Sequence, residues 1–295
     1  MYSAIAANKR NTVIIMAVFV GIIAAIGWAI SVMYGYGTST LPWIIGGALV
    51  YALIQYFAAS RLAMSMSGAR EIQKADNPRL WRIVENLAIT EGMPMPRVFI
   101  IDDPAPNACA TGRNPEHALV AATTGILDIM NDREMTAVMA HEMGHVKNYD
   151  IRVSMIAFGL ASVIGVMSDI ALRMMWFGGD RRDNESNGNP VMLVLGIVVI
   201  ILAPIVAAMI QMAISRQREY LADATSAMTT RDPEAMVAAL QKLEQYSQPM
   251  QRQSASTSHL FISNPLKSGT ISNLFSTHPP LEKRIARLES NEAKM

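Results

Sequence analysis

One short stretch decides which fold the chain is expected to adopt, and it reads Val138-Met139-Ala140-His141-Glu142-Met143-Gly144-His145. Asn131 followed by Glu134 forms a capping-box pattern, which predicts a helix running to about Asn148. Residues four apart on a helix share a face, so both imidazoles can reach one ion while Glu142 lies beside it. The stretch therefore predicts a helix that carries a metal site.

The donor types on this helix favour zinc. Two neutral imidazoles supply borderline-soft nitrogen ligands, which suit Zn²⁺. Glu142 is not expected to bind the metal; it would take a proton from the attacking water and deliver it to a leaving amine. The motif alone also arises by chance, but the small residues Ala140 and Gly144 flank the metal face, and a third ligand is available.

That third ligand lies in a second stretch, Arg216-Gln217-Arg218-Glu219-Tyr220-Leu221-Ala222-Asp223. Glu219 is the expected ligand, and Asp223, one helical turn further on, could hydrogen-bond a ligand imidazole from behind. On spacing alone, this pair is equally typical of a solvated helix face. Three protein ligands leave one coordination position open, which is typical of a catalytic rather than a structural zinc site.

The composition of the chain indicates a membrane protein. Hydrophobic residues make up 51 % and charged residues 17 % of the 295 positions, whereas soluble domains average about 25 % charged residues. A formal net charge of +1, with no long basic run, argues against a nucleic-acid partner. The single cysteine, Cys109, excludes an intramolecular disulfide and suits a reducing compartment.

Four apolar runs predict about four transmembrane helices, at 12–33, 41–60, 153–172 and 191–214. The first run is too long for a signal peptide and lacks a cleavage site, so a retained anchor is expected. Basic residues crowd the segment after the second run, namely Arg61, Arg70, Lys74, Arg79 and Arg82. The positive-inside rule then places both the N-terminus and the chain after Arg61 in the cytoplasm.

The third and fourth runs form a hydrophobic hairpin, which returns the chain to its starting side whether or not it crosses the bilayer. Its link carries Arg181 and Arg182, which count against a full crossing. Four parts are therefore expected: two N-terminal transmembrane helices at 1–60, a cytoplasmic zincin part at 61–150, the hairpin at 151–214, and a cytoplasmic part with the third ligand at 215–295.

The soluble parts are predicted to be mainly α-helical, with a small sheet whose edge lies near the active site. Strands are expected at 97–101 and 117–123, with a third, exposed strand at 107–111 between them. Further helices are expected at 77–91, 215–229, 233–246 and 279–289.

The order of these motifs resembles the HtpX family of membrane zinc metalloproteases, relatives of the CAAX prenyl proteases. The resemblance covers nearly the whole chain and includes three further motifs: Asn107-Ala108-Cys109-Ala110-Thr111-Gly112, Arg218-Glu219-x-x-x-Asp223 and Thr277-His278-Pro279-Pro280-Leu281-x-Lys283-Arg284-Ile285. It implies a gluzincin-like zincin with one zinc ion per chain, Glu142 as catalytic base, and the ligands His141, His145 and Glu219. Cys109 stands where family members usually have a bulky apolar residue, a departure expected to affect packing only.

The resemblance also implies a cellular role. It implies a multi-pass endopeptidase of the bacterial inner (plasma) membrane, with a cytoplasmic active site, that acts in membrane protein quality control. Its expected partners are the lipid bilayer and polypeptide substrates that are unfolded or membrane-associated.

Two further site assignments rest on weaker signals. Asn107, Ala108 and Ala110 resemble the Asn-Ala-x-Ala edge strand of thermolysin-like proteases, which binds an extended peptide through main-chain hydrogen bonds; a plain surface turn is the alternative. His278 could stabilise the oxyanion, or occupy the fourth zinc position in a resting state, or simply cap a helix. The two remaining histidines, His117 and His259, are expected to be structural or merely exposed.

A zinc transporter and a non-catalytic membrane binding protein are the alternative functions. Some transporters carry His-Glu-x-x-His inside a membrane helix, but here charged segments at 132–134 and 147–152 flank the motif. The same charges argue against cleavage within the membrane. All the catalytic residues are present, so the sequence does not favour an inactive relative.

Overall fold

The computed structural model describes residues 2–33, 38–156, 158–159, 216–252, 257–266 and 279–292. The helices and strands of this part are, in chain order, α1 Tyr2–Met33, α2 Leu41–Met66, β1 Ala69–Glu71, α3 Pro78–Glu91, β2 Arg97–Ile101, β3 Ala108–Gly112, β4 Ala118–Thr123, α4 Thr124–Ile129, α5 Asp132–Lys147, α6 Arg216–Thr230, α7 Pro233–Gln245 and α8 Leu281–Glu292. Helices dominate and the strands form one small sheet, which confirms the mainly α class predicted from the sequence.

Helices α1 and α2 contain the first two apolar runs and pack against each other. Among the described residues, α2 is the one helix that is long and apolar enough to cross a membrane. Its outer face is open and apolar: Trp43 is 84 % exposed, and Leu49 and Phe57 are more than half exposed. Soluble monomers rarely expose contiguous apolar surface of this kind, so the face suits contact with lipid. The predicted hairpin lies outside the described residues, apart from its first few positions.

The sheet contains four strands in the order β1-β2-β4-β3. Strands β2 and β4 run parallel, whereas β1 and β3 run antiparallel to their neighbours. Strand β2 has the predicted bounds, and β4 begins one residue late because a 3-10 turn, Pro115–His117, takes up His117. Strand β1 was not predicted, since its Ala-Arg-Glu sequence contains no apolar run.

Strand β3 forms one edge of the sheet and contacts α5. The expectation that this third strand is exposed is wrong, because all of its residues are buried. Residues 257–266, called the strap below, lie along its outer edge. Phe261 forms an antiparallel bridge with Cys109, and the backbone N–H of Ile262 donates to the carbonyl of Ala108 at 2.9 Å. The unpaired backbone groups of an edge strand pair readily with an extended chain, and here the protein supplies that chain itself.

Helix α5 lies at the centre of the part built from the sheet, α3, α6 and α7. Asn131 and Glu134 make the predicted capping box at its start, and most of its side chains are buried. It packs against α3, α6 and α7, and against β3. A helix enclosed on so many sides holds its side chains in fixed rotamers. The metal-site motif is therefore carried on a rigid element.

Candidate active site

His141 and His145 lie one helical turn apart on α5 and face Glu219 on α6. Their Nε2 atoms are 3.2 Å apart. The Glu219 carboxylate places Oε2 at 3.7 Å from His141 Nε2 and Oε1 at 3.5 Å from His145 Nε2. One donor atom from each of the three side chains lies within 4.8 Å of the others. These residues could therefore hold a metal ion.

The donor set fits zinc. Tetrahedral Zn²⁺ binds nitrogen and oxygen at about 2.0–2.1 Å, which separates neighbouring donors by about 3.3 Å. The three separations observed here, 3.2, 3.5 and 3.7 Å, need to change by only a few tenths of an ångström. Two imidazoles and one carboxylate are also typical ligands of catalytic zinc and leave a fourth position open.

Glu142 is buried beside this donor group but is not part of it. Its side chain lines the same pocket as His141, His145 and Glu219. The other walls of the pocket come from Ala110 on β3, from the segment after α5, from Arg218 and from the strap. A carboxylate in this position can exchange a proton with a water or a substrate held at the metal site.

The side chain of His141 is held from behind by a buried ion pair. Asp223 Oδ1 lies 2.9 Å from His141 Nδ1. Arg284 on α8 donates two hydrogen bonds to the same carboxylate, from Nε at 2.9 Å and from Nη2 at 2.6 Å. The Arg284 side chain is 0 % exposed. Burial alone would raise the pKa of Asp223, but Arg284 and His141 outweigh it and lower the pKa to about 2, so this carboxylate stays ionised.

The side chain of His145 is held by a second carboxylate, which is supported by α1. Asp150 Oδ2 lies 3.0 Å from His145 Nδ1. The amide of Asn8 donates to Asp150 Oδ1 at 2.7 Å and also to the carbonyl of Asn148 at 2.8 Å. Arg218 Nε lies 3.6 Å from the same Asp150 oxygen. The orientation of His145 therefore depends on a side chain of the N-terminal helix.

The two histidines differ in their affinity for protons. Burial, together with the positive charge of Arg284, lowers the pKa of His141 to about 4. Burial also opposes charge on His145, but Glu219 and Asp150 outweigh it and raise the pKa of His145 to about 9. Without a metal, His141 is therefore neutral at pH 7 and His145 carries a proton.

The structure brings most of the predicted site residues together. His141, Glu142, His145, Glu219 and Asp223 form one group, in which all but the partly exposed His145 are buried. Ala110 lines the pocket, whereas Asn107 and Ala108 hydrogen-bond to the strap. His278 lies outside the described residues.

The two remaining histidines have different surroundings. His117 is bound locally by Asn114, with its Nδ1 at 2.7 Å from Asn114 Oδ1. His259 is buried, lines the pocket and places Nε2 at 3.3 Å from the carbonyl of Ser154. Of the two predicted alternatives for His259, structural or merely exposed, its burial in the strap excludes the exposed one.

Sequence reasoning assigned no role to Asn8, Asp150, Arg218 or Arg284. Arg284 lies in one of the motifs that carry the HtpX resemblance, which was an available signal. Asp150, five residues beyond His145, could have been noticed as a carboxylate near the end of the metal-site helix. For Asn8 the sequence offers no signal, since its contact with Asp150 joins residues 142 positions apart.

Comparison with known proteins supports the same interpretation. The peptidase family M48 profile matches residues 74–292. A protease HtpX homologue of Tropheryma whipplei is 55 % identical over 289 residues, covering 98 % of both chains. A homologue of the same name from Ligilactobacillus salivarius is 48 % identical over 295 residues, covering 98 % of this chain and 99 % of its own.

A solved structure shares the fold. The crystal structure of S. mikatae Ste24p aligns with a TM-score of 0.52 at 19 % identity. The alignment covers 98 % of this chain, which spans 66 % of the length of that protein. From the family profile and the near full-length relatives, the chain belongs to peptidase family M48, as the resemblance to the HtpX proteases predicted.

Proposed function

We propose that the protein is a zinc-dependent endopeptidase of the membrane, which cleaves misfolded or membrane-associated polypeptides in membrane protein quality control. The observation that carries the proposal is the close grouping of His141, His145 and Glu219, with Glu142 lining the same pocket. Membership of peptidase family M48 supports the same chemistry. A transporter is not favoured, because α5 is enclosed by protein on the sides formed by α3, α6, α7 and β3.

His141, His145 and Glu219 are the proposed zinc ligands, with Asp223 and Asp150 orienting the two imidazoles. A carboxylate next to Nδ1 of each imidazole keeps the proton on Nδ1, so that Nε2 is the atom free to bind the metal. When bound here, zinc supplies Lewis acidity, making water acidic enough to ionise near pH 7 and polarising a carbonyl. The charge of Glu219 balances part of the charge of the ion.

Glu142 is the proposed catalytic base. Its buried carboxylate takes a proton from the attacking water and delivers that proton to the amine that leaves when the peptide bond breaks. His278 is proposed to stabilise the oxyanion of the tetrahedral intermediate. Asn107, Ala108 and Ala110 are proposed to pair with the main chain of an extended substrate.

The proposed arrangement in the cell has about four transmembrane helices and a cytoplasmic active site. Residues 1–60 form the first two helices and 151–214 the hairpin, while 61–150 and 215–295 build the catalytic part. The apolar outer face of α2 supports insertion in the membrane, and the basic residues after α2 support the cytoplasmic orientation. Substrates in such a site are polypeptides that are already unfolded or lie near the membrane.

The proposal is tested with Glu142→Gln in detergent, assayed on unfolded casein alongside the wild type. We expect equal zinc per chain and a loss of cleavage of at least about a hundredfold, because only the proton transfer is removed. Glu289→Gln, which changes an exposed glutamate of α8, is the matched control and should cleave at the wild-type rate. Unchanged cleavage in Glu142→Gln would exclude Glu142 as the base, and absence of zinc from both proteins would contradict the ligand assignment.

A further inference from the structure

The strap occupies the place that an extended substrate needs. Beyond the Cys109–Phe261 bridge and the hydrogen bond from Ile262 to Ala108, the Asn107 side chain binds both backbone groups of Ser263. Its Nδ2 donates to the Ser263 carbonyl at 2.9 Å, and its Oδ1 accepts from the Ser263 N–H at 3.2 Å. The strap thus engages the same segment, 107–110, whose main chain is proposed to bind substrate.

The strap also faces the catalytic residues. The strap begins with a 3-10 turn, Ser258–Leu260, and its backbone is extended at Phe261. Leu260 and Ile262, on either side of Phe261, both line the pocket that contains Glu142. Phe261 points the other way and is 1 % exposed within the apolar cluster that includes Cys109. The carbonyl of Ile262 also lies 3.5 Å from Nη1 of Arg284. An antiparallel peptide on the outer edge of β3 would need the space of these residues.

We propose that the strap, 257–266, is a built-in pseudosubstrate, which blocks the edge of β3 and must leave before a peptide can bind. The proposal rests on the proposed endopeptidase function and adds its regulation and its substrate class. A peptide that replaces the strap meets the contacts that the strap now makes. It therefore carries aliphatic side chains at alternate positions, in the places of Leu260 and Ile262, as unfolded apolar segments do.

The cysteine content of the chain allows a direct test. In an antiparallel pair, a bridge flanked by hydrogen bonds joins Cα atoms about 4.5 Å apart, which is within the range that a disulfide spans. Phe261→Cys therefore places a second thiol opposite Cys109, and no other cysteine competes. Burial raises the pKa of the Cys109 thiol, so diamide is used to form the bond and dithiothreitol to break it. The bond is verified by mass spectrometry.

We expect the oxidised protein to keep its zinc but to cleave casein at least tenfold more slowly than the reduced protein, with full recovery on reduction. The control is Phe261→Cys combined with Cys109→Ala, whose rate should not respond to diamide. If the disulfide forms and the rate does not change, the strap stays in place during cleavage and the proposal is overturned.

A second variant keeps the test valid if Phe261→Cys does not fold. Ser263→Pro removes the backbone N–H that Asn107 accepts, whereas Ser263→Ala keeps both backbone contacts. We expect Ser263→Pro to cleave several-fold faster than Ser263→Ala, because the strap is loosened. An equal or slower rate in Ser263→Pro would contradict the proposal.

Failure of the strap proposal can be distinguished from failure of the proposed function. If neither the zinc-loaded wild type nor zinc-loaded Ser263→Pro cleaves casein, the proposed function is contradicted. The strap is then judged by binding alone: fluorescent unfolded casein should bind the reduced form of Glu142→Gln/Phe261→Cys more tightly than the oxidised form. Equal binding would overturn the strap proposal.

Discussion

The two histidines of the candidate site are supported by different regions of the molecule. Behind His141, Asp223 and Arg284 form a buried ion pair between α6 and α8. Behind His145, Asp150 accepts a hydrogen bond from Asn8 on α1. Helix α1 packs against α2, the helix that is long and apolar enough to cross a membrane. One support is therefore internal to the core, and the other links the core to the N-terminal helix. We therefore predict that the contact between α1 and Asp150 influences metal binding through His145.

The largest expected effect is a loss of stability when the Asp223–Arg284 ion pair behind His141 is broken. Arg284→Met should lower the free energy of unfolding by about 3–5 kcal/mol, because it leaves the Asp223 carboxylate buried without its partner. Denaturant titration of the detergent-solubilised protein measures this loss. Lys283→Met, at the exposed position of α8 next to Arg284, should change stability by less than about 0.5 kcal/mol. Equal stabilities in the two variants would show that the His141 support is not a core ion pair.

Removing the Asp150 carboxylate, which contacts His145, should mainly lower the affinity for zinc. Asp150→Ala should weaken zinc binding about 10–100-fold, because His145 loses the partner that fixes its ring. Competition with a chelator of known affinity gives the constant. The control is Asp128→Ala, which removes an exposed carboxylate and should bind zinc as the wild type does. Wild-type affinity in Asp150→Ala would contradict a positioning role for Asp150.

The pH dependence of zinc binding should show which of the two histidines must lose a proton before zinc binds. The pKa of metal-free His145 is raised to about 9 and that of His141 is lowered to about 4. Between pH 6 and 8 only His145 must release a proton, so zinc affinity should rise about tenfold per pH unit. Chelator competition across this range measures the slope. Asp150→Ala should flatten it, whereas a slope of two protons would mean that both imidazoles are protonated.

The smallest effect is expected at the contact with the N-terminal helix. Asn8→Ala should weaken zinc binding a few-fold, since a net hydrogen bond contributes about 1 kcal/mol and Arg218 still lies near Asp150. Asn11→Ala, three residues further along α1, is the control and should bind zinc normally. Identical affinities in the two variants would break the proposed coupling between α1 and the site.

Local patterns predicted the elements around the site well. The helix predicted at 77–91 is α3, with Asn77 as its N-cap and Gly92 ending it in the left-handed region at φ 63°. The capping box of α5 is present as expected. These features depend on side chains within a few residues of one another, so the sequence contains the whole interaction.

The burial of β3 could not be predicted in the same way. Its short, small-residue sequence fits an exposed edge as well as a covered one, and the covering segment lies about 150 positions further along the chain. Strand pairing of this range is decided by packing of the whole domain rather than by local preference. For the same reason the sequence could not decide between a structural and an exposed His259, because its burial follows from where the strap lies.

The sequence by itself determined the chemistry of the candidate site. The helical period places His141 and His145 on one face of α5 with Glu142 beside them, and Glu219 supplies a carboxylate, so the zinc-type donor set follows from residue identity and spacing. Only the tertiary structure decided what stands around these donors: Arg284 behind Asp223, Asn8 behind Asp150, and the strap along β3. The physical reason is that a buried polar group needs a partner, and packing determines which distant segment supplies it.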